Sequence, residues 1–171
     1  MAIILGLGIT QTLQNIGEQI RRRSEIEIYP LHIAASCLLL LFTLVWLWLF
    51  WGTAEISWNL PMFLLQLIPA VFLALCAQVI RIDLDAENSP KEQYFENCKA
   101  AYLIWISALA VHFISSVILQ NIVPLIEILR LIVIGSLIWL TMTRNPVVHW
   151  CVITGLSISV VGGAAYSLFE L

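Results

Sequence analysis

The chain has 171 residues, of which 61% are apolar and 11% charged, with 8 Lys or Arg against 11 Asp or Glu, a formal net charge of −3 and a mean hydropathy of +0.95. A soluble domain carries roughly 45–50% apolar and about 25% charged residues. Composition therefore excludes a water-soluble globule and a disordered tail, and the absence of a basic tract excludes a nucleic-acid partner.

What remains is an all-α integral membrane protein, a single transmembrane domain over residues 1–171. A bilayer core about 30 Å thick needs about 20 apolar helical residues. The chain is charge-free over 31–53, 56–80, 100–126, 131–143 and 145–169. With the N-terminal segment, the predicted spans are 2–20, 31–53, 58–80, 97–120, 123–143 and 147–169. Residues 1–17 lack a basic n-region and their arginines follow the apolar part, so no cleavable signal peptide is expected.

The first span is amphipathic. At 3.6 residues per turn, Gln11, Gln14, Asn15, Glu18 and Arg22 share one face, opposite Ile9, Leu13, Ile16 and Ile20. Two placements are open. The helix spans with its polar stripe against other helices, or its polar half lies at the interface with Arg21, Arg22 and Arg23 among headgroups. The apolar run 2–9 favours spanning.

The second span ends in Trp46, Trp48 and Trp51, which with Trp58 suggest an aromatic belt at the outer interface; Tyr29, Tyr94 and Trp150 would mark the inner one. In the third, Pro61 and Pro69 suit a helix start and a bend. The polar loop from Arg81 to Lys91 closes on Ser89-Pro90-Lys-Glu, the pattern of a helix start. Arg21–Arg23, Arg81, Lys91, Lys99 and Arg144 all fall in alternate connections. The positive-inside rule makes that side cytoplasmic and puts both termini outside. Three spans followed by three give inverted halves, but no polar positions match between them.

Gly6-Leu-Gly-Ile-Thr-Gln, Trp46-Leu-Trp-Leu-Phe-Trp, Tyr94-Phe95 and Thr143-Arg-Asn-Pro-Val-Val-His together make the chain similar to an uncharacterised group of small polytopic bacterial inner-membrane proteins. The resemblance implies a helical bundle in a bacterial inner membrane, and it implies no activity, cofactor or catalytic residue.

Polar groups inside a membrane are expensive and mark candidate sites. The polar face of the first span, Gln11, Gln14, Asn15 and Glu18, reads as interhelical hydrogen-bond glue or as the lining of a polar path. Glu127 and Arg130, at i and i+3, read as an intramembrane ion pair, a gating element or a snorkelling anchor. His112 is a relay or ligand candidate, or makes a hydrogen bond to a neighbouring helix. Gly155, Gly162 and Gly163 give the sixth span a packing face, for internal contact or for an oligomer.

Cys37, Cys76, Cys98 and Cys151 lie toward the reducing side, so no disulfides are expected. His32 and Cys37 (i, i+5) and His149 and Cys151 (i, i+2) are poorly spaced for a shared metal. No metal and no cofactor are expected. The chain lacks a P-loop, G-x-S-x-G, HExxH or dinucleotide motif. The reading is a non-enzymatic membrane subunit that packs with lipid and with other subunits or copies of itself. The alternative is a small transporter or channel with a pathway along spans 1, 4 and 5.

Overall fold

The structure, a computed structural model, describes residues 2–24, 27–51, 59–118 and 124–169, without the side chains of 49–51, 124–126 and 163–169. The described residues form six helices and no strand: α1 (Ala2–Arg21), α2 (Pro30–Trp51), α3 (Leu60–Val79), α4 (Pro90–Ile118), α5 (Pro124–Met142) and α6 (Pro146–Phe169). Three helical stretches, Pro30–Trp48, Leu60–Val79 and Pro90–Ile118, are long and apolar enough to cross a membrane, as expected of a membrane protein, and Pro146–Gly162 is apolar but shorter.

Local chemistry starts the helices. Asn59 caps α3, its Oδ1 accepting from the Met62 amide at 3.0 Å, with Pro61 in the first turn. Ser89 and Glu92 form a capping box at α4. The Ser89 amide donates to Glu92 Oε2 at 3.0 Å, and the Glu92 amide donates to Ser89 Oγ at 3.3 Å. The helix start read from Ser89-Pro90 is thus the start of α4.

The helices close a ring in which α1 packs on α2 and α3, α3 on α4, α4 on α5, α5 on α6, and α6 on α2. Large side chains fill the centre, among them Leu39, Leu73, Tyr94, Tyr102, Trp105 and Leu137. Phe42 and Trp105 meet edge-on at 5.2 Å between α2 and α4. Trp46, read as part of an interfacial belt, belongs to this core: it is buried, 4.3 Å from the His112 ring. Tyr94 is also core rather than interface. Trp48 and Trp150 are exposed as a belt requires, and Trp51 and Trp58 lie outside the described side chains.

The polarity of α1 is inverted relative to a helix on a soluble protein. Its buried face is Leu5, Gly8, Thr12, Asn15 and Gln19. Ile3, Leu7, Leu13 and Ile20 face outward. Gly8 allows the close approach to α3, where a Cβ would stand 3.2 Å from Ala74 Cα. Asn15 and Gln19 then fall beside the far end of α3, so α1 and α3 run in the same direction. Arg22 Nη1 binds Asp85 Oδ1 at 2.9 Å, bringing the α1–α2 and α3–α4 connections to one end of the bundle. Residues 52–58 and 119–123, between the second and third and the fourth and fifth helices, lie outside the described residues.

Gly8→Leu should destabilise the protein by about 1–3 kcal/mol through overpacking, and Gly8→Ala by less. Unfolding in mild detergent measures both, and equal stability of all three proteins would refute the close approach.

Candidate functional site

Two polar layers are built into the bundle, one near each end. At the end that gathers Arg22, Asp85 and the capped start of α4, two histidines hold helices together. His32 on α2 is fully buried. Its Nε2 lies 2.8 Å from the Ile80 carbonyl at the end of α3, and its Nδ1 lies 3.0 Å from Gln19 Nε2 on α1. A carbonyl only accepts, so Nε2 carries the proton and Nδ1 accepts from the amide. Gln19 Nε2 also donates to Asn15 Oδ1 at 3.2 Å. One imidazole ring thus joins α1, α2 and α3.

His149 repeats the device on α6. Its Nε2 donates to the Thr143 carbonyl at 3.0 Å. Its Nδ1 therefore accepts from the Tyr94 hydroxyl at 2.9 Å, and that hydroxyl accepts from Tyr102 at 2.7 Å. The Tyr94 ring also stands edge-on to His32 at 6.2 Å, so the two histidine nodes are neighbours.

The polar face of α1 divides in two. Asn15, with Gln19 and Thr12, turns into the protein. Gln11, Gln14 and Glu18 border a cleft of about 460 Å³ between α1 and the end of α3, completed by Gln78 and Arg81 and backed by Asn15. Gln11 Oε1 is buried there without a hydrogen-bond partner.

The second layer lies toward the other end. Arg130 Nη1 pairs with Glu127 Oε2 on α5, and both side chains are about nine-tenths buried. Rather than snorkelling outward, Arg130 also donates to Ser116 Oγ on α4 at 3.3 Å. Gln66 on α3 donates to Ser115 Oγ at 3.3 Å. His112, one turn before Ser116, packs its ring on Trp46, and its Nδ1 has no hydrogen-bond partner. The hydrogen bond to a neighbouring helix expected of His112 is therefore not made by that nitrogen.

On α6, Gly155 and Gly162 face outward, and an added Cβ at either would meet nothing within 4 Å. Among the described residues, neither takes part in the internal packing allowed for in the sequence. Gly163 lies outside the described side chains. The four cysteines are free, and among the described residues no three His, Cys, Asp or Glu come together as a metal site.

The residues read as one polar path therefore do not converge. Gln11, Gln14, Asn15 and Glu18 belong to one end and to α1. His112, Glu127 and Arg130 belong to the other end and to α4 and α5. Sequence reasoning missed His32, His149, Tyr94 and Tyr102 as network members. A signal was present: Tyr94, Cys98, Ala101, Tyr102, Trp105, Ala108 and Leu109 recur at three- and four-residue spacing, which puts both tyrosines on the buried stripe of α4.

No family model matches this sequence, and neither a curated protein nor a solved structure is similar enough to count as a match.

Arg130→Ala leaves the Glu127 carboxylate buried without its cation and should cost about 3–5 kcal/mol. The double variant Glu127→Gln, Arg130→Met should lose clearly less. Detergent-unfolding free energies compare them, and a double variant as damaged as the single one would contradict a mutually neutralising pair. His32→Ala strands the Ile80 carbonyl and the Gln19 amide, for a loss of about 1–3 kcal/mol, measured the same way.

Proposed function

We propose that this chain is a non-enzymatic membrane subunit with six spans in a bacterial inner membrane, both termini outside, that assembles into a homo-oligomer or a larger membrane complex. The observation that carries the proposal is the combination on α6. Its small residues Gly155, Ser159 and Gly162 are exposed at helical spacing, and a Cβ added at Gly155 or Gly162 would meet none of the described residues within 4 Å. Small residues allow helix backbones to approach closely in lipid, where van der Waals contact and interhelical hydrogen bonds drive association. Gly135 on α5 is likewise exposed with open space beside it, so the outward surface of the α5–α6 pair offers a partner helix two shallow places.

The spanning placement of α1 is supported by its packing alongside α3 and by its outward Leu7, Leu13 and Ile20. The six-span count is supported by the ends of the helices. The Arg22–Asp85 pair and the His149–Tyr94 bond bring the α1–α2, α3–α4 and α5–α6 connections to one end, where the basic residues other than Arg130 are. The transport alternative along spans 1, 4 and 5 has less support. Its polar groups stand at opposite ends, with Leu73, Trp105, Ala108 and Leu137 packed in the centre.

Native mass spectrometry of protein gently extracted from its own membrane tests the assembly. A second copy or another polypeptide at fixed stoichiometry is expected, and Gly155→Leu with Gly162→Leu should remove it while leaving the monomer's helicity and melting unchanged. A wild-type protein that leaves the membrane only as a monomer would overturn the reading.

A further inference from the structure

We propose that the cleft between α1 and the end of α3 binds the phosphate of a membrane glycerophospholipid, with the acyl chains lying on the outer face of α3. At about 460 Å³ the cleft has room for a phosphate and its headgroup. Two guanidinium groups border it from different helices, Arg21 from α1 and Arg81 just past α3. Arg21 has one ionic contact, with Glu18 at 3.8 Å, and its side chain is 76% exposed. Arg81 uses its carbonyl to accept from Asn97 at 3.2 Å, and its guanidinium has no protein partner among the described residues. Two arginines against one carboxylate leave a net positive site. Basic pockets between helices at the inner surface suit phospholipid headgroups, and guanidinium forks suit phosphate oxygens.

The acceptors complete the fit. Gln11 Oε1 is buried at the cleft with no donor, and Glu18 stands a little under two turns along the same helix. A headgroup that donates, such as ethanolamine or glycerol, would satisfy them. What distinguishes a lipid from free phosphate is the apolar surface leading to the cleft. Leu64, Ile68 and Leu75 are exposed on α3 at helical spacing, and Gln78 of the cleft follows Leu75 by three residues. The site rests on the proposal that α1 crosses the membrane beside α3.

The test is native mass spectrometry of the full chain in micelles supplied with phosphatidylglycerol, phosphatidylethanolamine and diacylglycerol. The wild type is expected to retain one phospholipid and no diacylglycerol, and excess inorganic phosphate is not expected to displace it. Arg81→Gln should lower occupancy by at least about tenfold, as for a lost charge-assisted hydrogen bond. Gly17→Leu should do the same by filling the cleft without changing charge, since Gly17 lines it and a side chain there meets open space. Equal retention of diacylglycerol, or unchanged occupancy in both variants, would overturn the proposal. Displacement by inorganic phosphate would overturn the lipid as occupant. A spin label at Leu13 in the same samples reads the placement of α1. A water-exposed label removes the premise and the site together, whereas a lipid-exposed label with no retained phospholipid refutes the site alone.

Discussion

The imidazole of His32 is fully buried with no water to turn to, and a polar group held there is stable only with hydrogen-bond partners inside the protein. His32 finds them on two other helices, donating to the Ile80 carbonyl and accepting from Gln19. The rest of the architecture depends on this exchange. It draws the polar half of α1 inward against α2 and α3, which leaves Leu7, Leu13 and Ile20 on the outside. In water such an arrangement would be inverted. In the spanning placement proposed above, the apolar side chains face lipid, and amides worth about 0.6–2 kcal/mol each as interhelical bonds hold the helix in place.

The same logic recurs at the other nodes. His149 joins α6 to α4 through Tyr94, and Arg130 joins α5 to α4 through Ser116. Each of these nodes ties helices by one or two directional bonds, while buried aliphatic and aromatic side chains pack between them. The hydrogen bonds set which helices are neighbours, and among the described residues buried apolar side chains lie between the two layers.

The helices themselves were legible because long charge-free apolar stretches and the Ser89-Pro90 start are local signals. The amphipathic character of α1 was legible for the same reason. What its polar residues touch was not, because periodicity gives a face and not a partner. Asn15 and Gln11 look alike on a helical wheel, yet one backs onto His32 and the other opens on the cleft. Trp46 and Tyr94 were misplaced at the interfaces because belt assignments rest on position along a span, whereas both side chains are drawn inward by rings on α4 or α6. The ion pair of Glu127 and Arg130 follows from i, i+3 spacing, but its inward turn follows from Ser116, which lies 14 residues earlier in the chain.

The central claim is that α1 is a lipid-facing member of the bundle with its polar side inside. Spin labels introduced singly at Leu7, Thr12, Leu13, Asn15 and Ile20, in a variant without native cysteines and reconstituted in bilayers, test it directly. The account predicts that Leu7 and Leu13 collide with oxygen and not with a water-soluble nickel reagent, that Ile20 lies nearer the headgroups, and that Thr12 and Asn15 are shielded from both. Strong nickel accessibility at Thr12 and Asn15, with oxygen accessibility at Leu7, Leu13 and Ile20 at one common depth, would show a helix lying on the membrane surface and would contradict it.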